Sequence, residues 1–177
     1  MTNTWATWAN LLTALRITLI APTYLAILFG DWIIAAVLFT FAAVSDIYDG
    51  KLARKFNQAS PFGGLLDHST DAVYVATGHA ALAAIGLVNP YLWPLILLAF
   101  LQYMMDSRAL AGQPLRASSL GRLNGIVYFV LLGVFIGAEV LHLAFISTLA
   151  GWVGWLLVVS SLLSMGDRLF ALLRSKT

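Results

Sequence analysis

Four carboxylates stand close together in a chain that has few. Asp46, Asp49, Asp67 and Asp71 fall within S-D-I-Y-D-G-K-L-A-R-K-F-N-Q-A-S-P-F-G-G-L-L-D-H-S-T-D and make up half of the eight acidic residues. On a helix, residues three and four apart share a face. Asp46 and Asp49 are spaced i, i+3, and Asp67 and Asp71 are spaced i, i+4. Oxygen ligands of this kind suit hard divalent cations. Two such cations about 3.5–4 Å apart can clamp the attacking and leaving oxygens of a phosphoryl displacement. Arg54, one turn beyond Asp49-Gly50, suits an anionic substrate, and Gly50 leaves room for a ligand to approach the backbone. The flanking sequence, apolar enough to lie in a bilayer, gives a second reason for cations. A carboxylate near the centre of a membrane helix costs roughly 2.5–3.5 kcal/mol by insertion scales. Four unpaired ones would also repel one another. A place near a helix end lowers the cost, and bound cations relieve both terms.

The elements that must position these residues are apolar. Of 177 residues, 60% are hydrophobic and 10% charged, with a mean hydropathy of +0.87. A soluble domain carries about 25% charged residues. The chain therefore reads as an all-α integral membrane bundle forming a single domain over 1–177. Six spans are expected at 11–29, 32–54, 65–87, 91–106, 123–140 and 143–166, each near the ~20 residues that cross a bilayer core. Turn signals separate them at Gly30-Asp31, Asn57 to Pro61, Asn89-Pro90 and Gly112-Gln113-Pro114. Trp5 and Trp8 share a helical face, which suits an N-terminal segment lying in the membrane interface. The N-terminus lacks a basic leader region and reads without a cleaved signal peptide. The absence of cysteine excludes a disulfide framework and a thiolate metal site.

Charge placement orients the bundle. The ten basic residues are Arg16, Lys51, Arg54, Lys55, Arg108, Arg116, Arg122, Arg168, Arg174 and Lys176. With six spans, all fall on the side of the two termini or in the span ends nearest it. The opposite loops, around residues 30, 89 and 141, hold none. The positive-inside rule then places both termini and the aspartates at the cytoplasmic face. The net charge of +2 reflects this placement and does not point to a nucleic-acid partner. Short loops and no targeting segment suggest a prokaryotic plasma membrane. The second and third spans are expected to be antiparallel neighbours whose carboxylates face one another across one gap.

The pattern Asp46-x2-Asp49-Gly50-x2-Ala53-Arg54-x8-Gly63-x3-Asp67-x3-Asp71 resembles the signature of the CDP-alcohol phosphatidyltransferases. All eight fixed positions match, and with each type near one in fifteen by usage a chance match is on the order of 10⁻⁹ per start position. Asn10-Leu11-Leu12-Thr13-Ala14-Leu15-Arg16 is similar to the N-x-L-T-x-x-R that opens many members. Ser119-Leu120-Gly121-Arg122 loosely resembles the S-x-x-G-K-x-x-T region of the phosphatidylglycerolphosphate and cardiolipin synthases. Here Arg replaces Lys, the Ser spacing is one shorter, and Asn124 stands near the usual Thr.

The resemblance implies a chemistry. CDP-diacylglycerol binds with its pyrophosphate at two Mg²⁺ or Mn²⁺ ions, a hydroxyl of a small polar alcohol attacks the β-phosphorus, and CMP leaves. Asp46, Asp49, Asp67 and Asp71 are then metal ligands, with Asp71 as general base. Gly50 and Arg54 belong to the nucleotide face, Ala53 packs beside it, and Gly63 gives room at the helix start. Asn10, Thr13 and Arg16 join the substrate site, and Arg108, Arg116 and Arg122 supply cations for a phosphate-bearing acceptor. Glycerol 3-phosphate is the expected acceptor; inositol phosphate, phosphatidylglycerol and serine are the alternatives. The resemblance also implies a homodimer.

Plainer roles compete at several positions. Arg16 could snorkel to the interface rather than meet phosphate. His79 reads as a core residue, and Gly133-x3-Gly137 as a close helix contact. His68 lies off the Asp67/Asp71 face. A cation transporter is the rival class for the aspartates. It calls for acidic groups deeper in the spans, where Glu139, near the far side, stands alone.

Overall fold

The computed structural model describes the backbone of residues 8–55, 61–106 and 119–174, and side chains over 13–48, 63–105 and 119–170. It is all-helical. In chain order the helices are α1 (Trp8–Leu28), α2 (Trp32–Lys55), α3 (Pro61–Ala84), α4 (Leu92–Asp106), α5 (Ser119–Val140) and α6 (Ala144–Arg174). A chain this apolar must satisfy its backbone polar groups within each segment, and the helix does that. The six expected apolar stretches each fall in one helix, but several helices run on into polar sequence. Helix α3 starts at Pro61, where a missing N–H costs nothing, and α6 continues to Arg174.

Among the described residues, two segments are long and apolar enough to cross a membrane: Ser119–Val140 and Ala144–Phe170. Thr13–Leu28, Trp32–Tyr48 and Leu92–Met105 are shorter apolar stretches. Six crossings are thus more than these helices establish by themselves. The exterior is nonetheless apolar over wide areas, with Phe29, Ile33, Met105, Phe145, Trp152 and Leu156 all strongly exposed. A soluble monomer rarely leaves contiguous apolar surface of that extent. Residues 1–7 of the expected interfacial segment lie outside the described residues, and Trp8 is already the first residue of α1.

Three turns close the end of the bundle away from the aspartates, and each is built the same way. After α1, the Gly30 N–H donates to Ile27 O (3.1 Å) and Asp31 N–H to Ala26 O (2.8 Å). After α3, Gly86 N–H donates to Ala83 O (3.1 Å) and Leu87 N–H to Leu82 O (2.9 Å). After α5, His142 N–H donates to Glu139 O (3.2 Å) and Leu143 N–H to Ala138 O (2.8 Å). These paired bonds satisfy the last carbonyls of a helix and require a left-handed residue at the turn. Gly30 (φ 76°) and Gly86 (φ 80°) adopt it freely, whereas His142 (φ 54°) does so with a side chain.

Among the described residues the packing corrects one expectation. Helix α1 packs against both α2 and α3, while α2 and α3 share little contact of their own. Over these residues α1, not α3, is the main neighbour of α2, although the carboxylates of α2 and α3 still converge. Small residues permit the close approaches elsewhere, as is usual for helices in lipid. A Cβ at Gly78 of α3 would meet Leu132 Cδ2 of α5 at 2.6 Å, and one at Gly133 of α5 would meet Phe39 Cε1 of α2 at 2.8 Å. Gly133 is therefore a packing contact as expected, but Gly137 faces open space. The core is filled by Ile27, Tyr74, Leu82, Leu92, Leu132 and Phe135.

Candidate active site

Three helices meet at the aspartate end. Helix α2 contributes Ser45 and Asp46 near its C-terminal end. Helix α3 contributes Asp67 and Asp71, one turn apart on one face. Oxygen atoms of Asp46, Asp67 and Asp71 lie within 4.8 Å of one another. This all-oxygen set could hold a hard divalent cation. Asp49 follows one turn after Asp46 on α2, but its side chain lies outside the described residues.

Helix α1 contributes the third component. Arg16 is 1% exposed, so it does not snorkel to a surface. Its Nη1 donates to Asp67 Oδ1 at 2.8 Å and also to Asp71 Oδ1. Nη2 lies 3.2 Å from Asp46 Oδ1, and Nε reaches Ser45 Oγ at 3.5 Å. One guanidinium thus touches carboxylates from two other helices. Thr13, a turn earlier on α1, is also buried. Deeper in the bundle, Thr23 and Tyr74 share a 3.2 Å hydrogen bond that ties α1 to α3 again. On the other side of Asp67, His68 Nδ1 lies 3.7 Å from Oδ2. Three ionised carboxylates would outnumber the single charge on Arg16, and a divalent cation would offset the excess.

A cavity of about 730 Å³ opens beside the cluster, bounded by α3, α4, α5 and α6 and reaching Asp46 on α2. Ligand sites commonly measure about 300–1,000 Å³ and are mostly apolar with a few polar groups. Here Val75, Ile96, Phe100, Ile126, Phe129 and Val130 supply apolar wall. Asp46, Asp71, His68, Gln102, Arg122 and Arg168 are among its polar groups. Arg168 lies over the Tyr103 ring, 5.2 Å from its centroid, a cation–π arrangement. Gln102 Nε2 donates to Met165 O at 2.9 Å, tying α4 to α6. Ser160 Oγ donates to Asn124 Oδ1 at 2.7 Å, and Tyr128 and Ser161 are hydrogen-bonded, so α5 and α6 are held together along the cavity wall.

The structure thus brings Asp46, Asp67, Asp71 and Arg16 into one cluster, with Arg122 on the wall of the adjoining cavity. Gly63 is half-buried in the first turn of α3, while Gly64 is the glycine that lines the cavity. Asn10, Gly50, Ala53 and Arg54 lie on α1 and α2, but nothing is described of their side chains. Arg108 and Arg116 lie outside the described residues. His79 is a core residue, fully buried with Nε2 3.0 Å from Tyr128 O. Arg168 and Gln102 were missed as cavity residues. Arg168 carried a signal, as a basic residue on the aspartate side, but topology alone accounted for it. Gln102 carried a weaker one, as an amide within an apolar stretch.

The chain is similar in sequence to parts of several curated proteins. A "CDP-diacylglycerol--glycerol-3-phosphate 3-phosphatidyltransferase" of Cereibacter sphaeroides is 37% identical over 99 residues, covering 51% of this chain and 43% of its own. A protein of the same name from Pseudomonas fluorescens is 39% identical over 71 residues, 38% of this chain and 36% of its own. A "Probable phosphatidylglycerophosphate synthase" of Mycobacterium tuberculosis is 28% identical over 138 residues, 74% of this chain and 66% of its own. In each case the match spans less than two thirds of the relative's length. The family model described as CDP-alcohol phosphatidyltransferase matches residues 6–163, nearly the whole chain and all of the carboxylate cluster, and the protein belongs to that family.

Proposed function

We propose that the protein transfers a phosphatidyl group from CDP-diacylglycerol to the hydroxyl of glycerol 3-phosphate and releases CMP. The observation that carries this reading is the junction of the Asp46, Asp67 and Asp71 cluster with a large, mostly apolar cavity whose wall bears Arg122 and Arg168. A CDP-linked lipid needs both: oxygen ligands for cations at its pyrophosphate, and apolar space next to them. The glycerol 3-phosphate assignment draws on the names of the Cereibacter and Pseudomonas relatives.

In this reading Asp46, Asp49, Asp67 and Asp71 hold two divalent cations, Mg²⁺ or Mn²⁺, which when bound would neutralise charge on the transferring phosphoryl group. The acceptor hydroxyl oxygen bonds to the β-phosphorus, and the bond from that phosphorus to the CMP oxygen breaks. Asp71 takes the hydroxyl proton, which requires hydrogen-bond reach to the acceptor. Arg122 and Arg168 hold the acceptor phosphate by charge-assisted hydrogen bonds. Arg54 and Gly50 face the nucleotide, with Ala53 packed beside them. The apolar cavity wall keeps the acyl chains out of water. Residues 1–177 act as one domain of six spans, with termini and active site on the cytoplasmic side of a prokaryotic plasma membrane, and the protein works as a homodimer.

Purified protein should release CMP from CDP-diacylglycerol with glycerol 3-phosphate and Mg²⁺. Mass spectrometry of the lipid product identifies the acceptor. A product formed instead from inositol phosphate, phosphatidylglycerol or serine would correct the acceptor. No release with any of these would overturn the reading.

A further inference from the structure

We propose that Ser164 is a specificity-determining residue whose hydroxyl binds the non-reacting hydroxyl of the acceptor, so that the cavity selects a phosphate-bearing diol. The inference rests on the reading of this cavity as the acceptor site and goes beyond it in saying how the acceptor's carbon skeleton is recognised. Hydroxyls in this bundle are bonded as a rule. Thr40, Ser69, Thr70, Thr148 and Ser161 each donate to the carbonyl four residues back in their own helix, a common bond for a helical serine or threonine. Ser164 of α6 is 7% exposed, yet its Oγ has no hydrogen-bond partner among the described residues. It lies on the wall of the cavity of about 730 Å³. Its oxygen is not sealed inside the protein either, unlike Gln102 Oε1, which is buried without a partner.

The neighbours define what that oxygen meets. Ser164 and Arg168 are four residues apart on α6 and share the face that lines the cavity. Arg122 and Asn124 of α5 line it too, as does Asp71 of α3. The other buried polar groups of this wall bond within the bundle: Asn124 Oδ1 accepts from Ser160 Oγ at 2.7 Å, and Tyr128 pairs with Ser161. Ser164 instead offers an open donor and open lone pairs, one turn from a cation proposed to hold the acceptor phosphate. Glycerol 3-phosphate matches this arrangement chemically. Its phosphate goes to Arg122 and Arg168, and its terminal hydroxyl attacks. Its middle hydroxyl, close to the phosphate along the skeleton, is left to bond with Ser164. A buried hydroxyl that faces a substrate hydroxyl penalises an acceptor lacking it, because the protein group is then left unpaired. An apolar side chain at this position would not discriminate in that way.

The test compares two acceptors, glycerol 3-phosphate and 3-hydroxypropyl phosphate. The second keeps the phosphate and the terminal hydroxyl and lacks the middle one. CMP release from CDP-diacylglycerol is measured with the purified protein for wild type, Ser164→Ala, Ser164→Cys, Ser164→Thr and Ser161→Ala. Wild type should prefer glycerol 3-phosphate by about tenfold in kcat/KM, the worth of one hydrogen bond to a buried partner. Ser164→Ala should reduce that preference to about twofold or less, by losing rate with glycerol 3-phosphate and keeping it with the analogue. Ser164→Cys, close in size but a weak hydrogen-bonder, should show the same loss, and it decides the matter if Ser164→Ala does not fold. Ser164→Thr, which retains a hydroxyl, should keep the preference. Ser161→Ala removes a hydroxyl already engaged with Tyr128 and should scale both acceptors by one factor, as a merely structural change does. A preference unchanged in Ser164→Ala, or absent in wild type, overturns the inference and leaves the phosphatidyltransferase reading standing. No CMP release from wild type with either acceptor overturns both.

Discussion

The two ends of this helical bundle are held by different forces. At the far end, three helices stop in the same paired backbone bonds around Gly30, Gly86 and His142. The loops there hold no Lys or Arg. A small cavity of about 290 Å³ lies among Asp31, Trp32, Glu139 and His142. At the aspartate end, side-chain charge holds α1, α2 and α3 together through one buried arginine, and a cavity of about 730 Å³ opens beside it. Backbone caps are local. An arrangement held by charge can respond to an ion or an anionic substrate. In the proposed reading the chemistry belongs to the aspartate end.

The comparison breaks most sharply at Asp71. Asp71→Asn removes the proposed base and a ligand together, and should lower CMP release by about 10³-fold or more. Undiminished release would move the chemistry away from this cluster. Next in size are the cavity arginines. Arg122→Ala and Arg168→Ala should each raise KM for glycerol 3-phosphate by about ten- to a hundredfold, the worth of a charge-assisted hydrogen bond, with KM for CDP-diacylglycerol less affected. Steady-state kinetics with each substrate varied separates the two effects.

At the far end, effects should fall on stability alone. Glu139 accepts a 2.6 Å hydrogen bond from Ser147 Oγ. Glu139→Gln should cost about 1 kcal/mol in thermal unfolding and leave CMP release within about twofold of wild type. The smallest expected change is a gain. His142 holds a left-handed conformation with a side chain, so His142→Gly should stabilise by about 0.5–1 kcal/mol without altering turnover. A loss of activity in either variant would show that the two ends are coupled.

The sequence made the helices and the carboxylates legible for the same reason: both depend on spacing along one chain. The apolar stretches marked six helices, and the i, i+4 spacing marked a face of Asp67 and Asp71 that the fold brings to Asp46; the side chain of Asp49, the i, i+3 partner of Asp46, lies outside the described residues. Helix ends were less legible, because α3, α5 and α6 run past their apolar portions into polar sequence. The partner of the carboxylates was not legible at all. Arg16 lies 51 residues from Asp67 and 55 from Asp71, and no local periodicity reports that α1 packs against both α2 and α3. From the sequence, the N-x-L-T-x-x-R resemblance attached Arg16 to the substrate site, and membrane topology offered the snorkelling alternative. Neither placed its guanidinium among the aspartates.

The central claim is that the aspartate end is a cation-dependent phosphatidyltransferase site. It is tested most directly by CMP release from CDP-diacylglycerol and glycerol 3-phosphate, measured in EDTA and again after Mg²⁺ is added in excess. The account predicts no release in EDTA and full release once Mg²⁺ is restored. Release that persists in EDTA, or none with Mg²⁺ present, would contradict it.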